Sequence, residues 1–547
     1  MSASNPAIKV AFIGMGPRAL GALEALVENC MAKSQAIAVS VFDELQLGGA
    51  GPNFDPDQSE LGLLNTPMRA LQIDPSLNLP CGGFNDWQKK LGEPDSDRFA
   101  SRAELGAYLE QRYRDVVGLS EVLTVTCHKA RATALQRDGD HWRVTTETED
   151  YGPFDEILLV PGQPQTKTDD QWATWEDHAE KRDLCCMQAY PDRHVLKAAS
   201  EWSDRKVGIR GLGLSTFDVL RYLTVGQGGT FENDAYQPSG SEPKCIYAFS
   251  LNGQPPFPKP VDGTLDQRFD LKDPEIENFV AALNDAVAEA PDQALTLIFD
   301  ALVQPAARIG SEMFAGYDVD DIREWLEIER DAPGDQETHE PIDTLRHGIT
   351  MADGSAPPTV GYVIGQIWRK LQNDIRAGFN SAEKSPETAK AIVGFDEGLK
   401  RYSYGPPLSS ARELLALIDC KLVSLAVVED PDIALVRQGW RLIDDKAATV
   451  SVMINAVLAP PSLDKITDPM VVKLKSENIL RETYEGSGAH TTPDGQVVNA
   501  DGDVSTGLCV LGRLSLGSVI AVDSVHDCFG ASTHRWAEGV SSRMQNR

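Results

Sequence analysis

No Cys-x-x-Cys pair occurs among the nine cysteines, and their number is odd. That excludes a disulfide framework and a dithiol-relay reductase, and it suits a reducing, cytoplasmic setting. The vicinal pair, Cys185-Cys186, reads as structural. Zinc-ligand spacing is missing too. The nearest histidine pairs, His339 with His347 and His526 with His534, fall in loop-like stretches, so no metal site is expected. No apolar run approaches a membrane span. MSASNPAIK leads straight into the first predicted strand, so no secretory leader is expected. Basic charge is scarce: 51 Lys and Arg stand against 82 Asp and Glu, a net charge of −31. Nucleic acid and anionic membrane are therefore excluded as main partners. No Ser/His/Asp constellation or other nucleophile stands out.

What is there is an ordinary globular composition, 41% hydrophobic and 24% charged, over 547 residues. Such a chain holds about two to four domains.

Its most informative stretch is Ile8–Leu26, IKVAFIGMGPRALGALEAL. An apolar strand enters a glycine turn and leaves into a helix-period run. Gly14, Gly16 and Ala19 fall on the G-x-G-x-x-G/A spacing. Gly14 allows the tight turn, Gly16 lets backbone approach a pyrophosphate, and Ala19 lets helix and strand pack closely. The helix start then offers N–H groups and the positive end of a dipole to phosphate. The next strand, Ala36–Phe42, ends at Asp43-Glu44. An acid roughly 20 residues after the turn suits a ribose 2′-hydroxyl. The bland alternative is a glycine-rich strand–helix turn with nothing bound.

The pattern recurs at Lys206–Leu223, KVGIRGLGLSTFDVLRYL. Gly211 and Gly213 repeat the turn, with Thr216 at the position usually held by Gly or Ala. The Ser215 and Thr216 hydroxyls can bind phosphate or cap the helix. Asp218 reads as a solvated or capping acid. Gly229–Glu232 suggests a short strand ending in an acid, which favours NADH over NADPH. Two such turns point to one tightly held nucleotide and one that exchanges. The alternative is that the second turn only packs helix on sheet.

The organisation expected is an α/β, Rossmann-like flavoprotein with two dinucleotide-binding domains and a largely helical insertion. Residues 1–165 form the first binding part, and the strand run Asp155–Gly162 closes on Gly162. Residues 200–262 form the second. Helical periodicity in Pro274–Ile309, Asp320–Glu329 and Gly361–Phe379 marks an insertion over 263–440. The proline-rich Gln254–Pro260 reads as a boundary loop. Residues 441–547, including the β-rich Ala448–Ala459 and the strand Gly507–Gly512, return to the first domain and bring backbone N–H groups toward a cofactor.

Read in order, GMGPRALGALEAL, VFDE, GGAG at Gly48–Gly51 and LLNTP at Leu63–Pro67 open a recognisable series. SRAELGAYL, DEILLVPGQP, GLGLSTFDVL, SLNGQPP, MINA and VLGRLSLGS continue it. The chain resembles the FAD/NAD(P)-binding proteins related to FAD-dependent urate hydroxylase and, more distantly, the flavin-dependent N-hydroxylating monooxygenases. The resemblance covers roughly the first 260 and last 100 residues; the helical middle carries none of it. It implies FAD at the first turn, with Asp43 on the adenosine ribose and Gly14, Gly16, Pro17 and Arg18 by the pyrophosphate. Arg18 is otherwise a solvated first-turn arginine. Asn65 and Thr66 are implied near the flavin, or else form a plain Asn-Thr-Pro turn. At Gly512-Arg513 the usual Asp is replaced, so Arg513 cannot take that acid's contact with the flavin ribitol.

The activity this implies is NAD(P)H-dependent hydroxylation of a small polar or heterocyclic metabolite through a flavin hydroperoxide. The cofactor then carries the hard chemistry, and the protein orients and shields it. Alternatives are a flavin oxidoreductase that inserts no oxygen and a nucleotide-binding scaffold without turnover. His526, with Asp523 or Asp527 as orienter, is a possible acid or base, though a lone loop histidine is more often structural. Substrate identity, catalytic residues and oligomeric state are not legible at this level.

Overall fold

The structure is a computed structural model. It describes residues 7–545 apart from 91, 93–94, 120–121, 426–431 and 444–447. Residues 1–6, where a leader was judged absent, lie outside it.

Two parallel sheets organise the chain. The first runs Gln496–Val498, Val504–Val510, Glu156–Leu159, Ile8–Ile13, Ile37–Phe42, Leu123–His128, with all neighbours parallel except the first two. Its strands are apolar because helices cover both faces. Val10, Phe12 and Leu158 are fully buried beneath the Pro17–Ala32 helix, together with Trp536 of the last helix, Ala531–Gln545. The chain's two ends thus build one sheet.

The second sheet is wholly parallel: Val423–Ser424, Cys245–Phe249, Lys206–Arg210, Val452–Asn455, Cys185–Gln188. Two expectations change here. Val452–Asn455, placed with the C-terminal return, pairs with Lys206–Arg210 and Cys185–Gln188, so position 441 is not where the chain re-enters the first sheet. Thr230–Glu232 does not join the sheet at all; it forms a two-stranded hairpin with Ala235–Gln237. The strand that follows the second turn in the sheet is Cys245–Phe249, so Glu232 is not the acid beside a ribose and gives no preference between NADH and NADPH.

Between the sheets' segments, helices from Gly263–Gln267 to Leu408–Asp419 form a bundle around Phe279, Ile298, Leu302, Ile364 and Trp368, all essentially buried. The Gln254–Pro260 stretch has neither helix nor strand, as a boundary loop would, but most of it is buried. Its backbone is pinned by Phe257 N–H to Arg401 O (3.0 Å) and Lys259 N–H to Pro406 O (3.0 Å). The Tyr362 hydroxyl donates to Pro258 O at 2.9 Å. No helix among the described residues is long and apolar enough to cross a membrane.

Candidate active site

Both glycine turns, the Leu63–Pro67 turn, the C-terminal loop and the helical bundle face one cavity of about 1550 Å³. That exceeds the roughly 300–1,000 Å³ usual for one small ligand.

Gly14 has φ +98°, and a Cβ there would sit 2.5 Å from Val160 O, so strand, turn and neighbouring strand close only over glycine. Gly16 differs. Its φ is −86°, and a Cβ would meet nothing nearer than Gly51 Cα at 3.9 Å. Nothing within the protein that a Cβ would meet requires glycine there. At the second turn Gly211 has φ +122° and packs on Ala456, while a Cβ on Gly213 would meet nothing within 4 Å.

The helices leaving these turns, Pro17–Ala32 and Leu214–Leu223, begin at glycines with no side-chain cap and no acid in the first turn. The helices starting at Arg102, Asp170 and Val319 are capped by Ser101, Asp169 and Asp318. Unpaired N–H groups at a helix start need an acceptor, and here both starts line the cavity. Phosphate is the acceptor that fits.

Asp43 lines the cavity and is oriented by the turn itself. Its Oδ2 accepts Met15 N–H at 2.8 Å, and Oδ1 accepts Leu45 N–H at 2.8 Å and Gln46 N–H at 3.3 Å. Lone pairs remain for hydroxyl donors. Glu44 is exposed and does not line the cavity. Ala19 is buried in the helix–sheet core. Thr216 is buried and spends its hydroxyl on Gly211 O at 2.8 Å, which locks the turn, so it offers no hydroxyl to phosphate. Pro17, Gly162, Ser215 and Gly512 line the cavity, as do Asn65 and Thr66.

Arg18 is not a solvated arginine. It is buried and paired with Asp527, and it also donates to Asp527 O at 2.6 Å and Val522 O at 3.2 Å. Burial works against its charge and Asp527 more than restores it, holding the pKa above the usual value. Arg18 therefore anchors the C-terminal loop under the first turn. Arg513 lines the cavity, paired with Asp523 and donating to Ala459 O at 3.1 Å. Burial raises the Asp523 pKa, but Lys400 and Arg513 together hold it below the usual range.

His526 reaches the cavity, but neither acid orients it. Its Nε2 lies 2.9 Å from Ala70 O, and its Nδ1 lies 3.1 Å from Ser524 Oγ. The backbone N–H of Gln72 also approaches Nε2, at 3.3 Å. Burial lowers the pKa, the Ala70 bond opposes this, and the charges of Arg376 and Lys259 lower it further.

Asp218 is likewise not a solvated acid. It is 3% exposed and accepts from Arg102 at 2.9 Å and the Tyr190 hydroxyl at 2.6 Å.

The wall that the sequence reading missed is cationic. Arg369 and Lys370 end the Val360–Lys370 helix, Arg376 lies on Gln372–Ser381, and Lys259 comes from the proline-rich strap. The available signal was the spacing of Arg369 and Arg376, two turns apart in one helix-period run.

Two parallel sheets, each with a glycine turn leading into a helix, make this a Rossmann-type fold. Residues 11–164 match the family model described as FAD-NAD(P)-binding. The chain is 30% identical over 272 residues to the nitrosuccinic acid synthase of Aspergillus oryzae, spanning 45% of this chain and 40% of that one. It is 24% identical to the L-aspartate N-monooxygenase of Streptomyces cremeus, over 89% and 86% of the two chains. The alignment with the first of these relatives reaches only about two fifths of its length. Among solved structures, the FAD-bound cadaverine monooxygenase of Erwinia amylovora superposes with a TM-score of 0.51 at 12% identity, covering 98% of this chain and 95% of that one. The ornithine hydroxylase of Pseudomonas aeruginosa gives 0.50 at 11%, over 98% and 100%. These two share the fold.

Proposed function

We propose that this chain is an FAD-dependent, NAD(P)H-using monooxygenase that oxidises the amine nitrogen of a small acidic amino acid. The observation that carries the reading is the single cavity itself. Two uncapped glycine-turn helices face it from one side, and the helical bundle faces it with cations from the other. The 30%-identical relative is named for nitrosuccinic acid synthesis and the more fully aligned one for L-aspartate N-oxidation, which fits a cationic wall.

In this reading the first turn's N–H groups hold the pyrophosphate of FAD, and Asp43 accepts the adenosine ribose hydroxyls. The second turn holds the exchanging nicotinamide nucleotide. FAD, when bound, supplies electron transfer from the nicotinamide to O₂ and oxygen transfer to the substrate. The chain's own part is to orient and to exclude water. Asn65 and Thr66 present the turn facing the flavin, the bundle closes the far side, and His526 is a hydrogen-bonding wall.

The test is the absorption spectrum of purified protein, anaerobic titration with NADH and with NADPH, then oxygen uptake with L-aspartate and mass detection of an N-oxidised product. Bleaching of a bound flavin and coupled product support the reading. Reduced flavin that never transfers oxygen to an amine sinks it in favour of a non-oxygenating oxidoreductase. A colourless protein that gains no flavin spectrum with added FAD sinks it in favour of a scaffold.

A further inference from the structure

The protein carries a net charge of −31, yet the wall of its cavity is cationic. Most of those cations are already satisfied. Arg18, Arg102, Arg369 and Lys400 are each matched by a carboxylate: Asp527, Asp218, Asp266 and Asp523. Arg401 donates to three backbone carbonyls, of Gly334, Gln336 and Glu337, and stacks on Phe257 and Tyr402.

Lys259 and Arg376 differ. Among the described residues neither has an ion pair, although they are 6% and 7% exposed and both line the cavity. Lys259 gives one N–H to the Asn65 carbonyl. Arg376 donates to Ala521 O (3.2 Å), Asn373 Oδ1 (2.8 Å) and Gln372 Oε1 (3.2 Å), all neutral. An ammonium has three N–H donors and a guanidinium five, so about two remain unused on each. Buried charge without a counter-charge is costly. The fold has built two such groups into one cavity.

We infer that Lys259 and Arg376 are the specificity-determining receptor for the carboxylates of a dicarboxylic amino acid. This rests on the reading of the cavity as an amine-oxidising site. Lys259 stands on the Leu63–Pro67 turn through Asn65, so an acid held there has its amine beside the turn assigned to the flavin. Arg376 lies on the bundle and fixes the other end. Burial and the charge of Arg369 depress the Lys259 pKa to about 7, with Asp266 opposing and Arg69 adding to the effect. An anion that restores the missing counter-charge reverses that cost, so Lys259 binds it as an ammonium.

The probe is succinate, which has both carboxylates and no amine to oxidise. Its binding to FAD-loaded protein is measured by calorimetry against succinamate and butanamide. Succinate is expected to bind at least tenfold more tightly than succinamate, with butanamide weakest. Lys259→Gln and Arg376→Gln are each expected to weaken succinate tenfold or more and to raise KM for the acidic amine more than they lower kcat, with flavin content unchanged. Arg376→Lys should recover part of the loss. Equal affinity for all three probes, or variants that bind succinate as the parent does, would overturn the inference. Should Arg376→Gln not fold, the three-probe comparison on the parent still decides it. If the parent binds succinate through both residues but oxidises no amine, the proposed activity fails and the anion site stands. If it oxidises an acidic amine with a KM indifferent to both residues, the activity stands and this receptor fails.

Discussion

Arg102, the first residue of the Arg102–Val117 helix in the first unit, donates to Asp218 on the second glycine-turn helix at 2.9 Å. The same Asp218 oxygen accepts the Tyr190 hydroxyl at 2.6 Å. The link joins the Arg102–Val117 helix to the second glycine-turn helix beside the cavity with a buried charge pair.

Asp218→Ala should therefore destabilise the protein. Removing one partner of a buried pair costs on the order of 3 kcal/mol; here the Arg102 side chain is 23% exposed, so the cost falls toward the lower side. A lowered urea midpoint measures it. Asp218→Asn, which still accepts from Tyr190, should lose less. Unchanged midpoints in both variants would show that the link carries no energy.

Succinate affinity should depend on pH through Lys259. Its folded pKa is about 7, set by burial and Arg369, with Asp266 opposing and Arg69 contributing. His526 faces the same space; burial and the charges of Arg376 and Lys259 hold its pKa below the usual value, against the Ala70 hydrogen bond. Below pH 7 Lys259 is charged and the anion binds fully. Above it, affinity should fall by up to about tenfold per pH unit until the higher pKa of the complex is reached. The same depression means that the unfolded chain binds a proton the folded one does not between about pH 7 and 10.4. The Lys259 contribution to stability therefore rises with pH across that window. A calorimetric series from pH 6 to 9 with constant affinity would contradict this.

Asp43→Ala should weaken FAD binding by about tenfold to a hundredfold, the worth of hydrogen bonds to a charged group at roughly 1.5–3 kcal/mol. Fluorescence titration of apoprotein with FAD reads it. Glu44→Ala, at an exposed position outside the cavity, should change nothing.

What the sequence conveyed was local. Gly14, Gly16 and Asp43 were legible because strand, turn, helix and acid follow one another within about 35 residues of chain. Distant partners were not. Asp218 looked like a cap because its counter-ion, Arg102, lies 116 residues away. Glu232 looked like a ribose acid because spacing cannot show that its strand folds onto Ala235–Gln237. Val452–Asn455 is as apolar as any strand of the first sheet, and only its pairing with Lys206–Arg210 assigns it to the second. Lys259 was read as part of a boundary because proline-rich segments usually lie outside; here Arg401 and Pro406 hold it inside.

The account rests on the first helix start meeting a flavin pyrophosphate, and the two glycines of that turn separate the possibilities. Gly14→Val puts a Cβ 2.5 Å from Val160 O at φ +98°, and the fold should fail. At Gly16 a Cβ would meet nothing closer than Gly51 Cα at 3.9 Å, and φ is −86°, so the fold of Gly16→Val should hold. The measurement is flavin content and FAD affinity of Gly16→Val beside its circular dichroism and melting temperature. The account predicts a folded, colourless protein whose FAD affinity is at least a hundredfold weaker. A folded Gly16→Val protein that retains FAD as the parent does would contradict it.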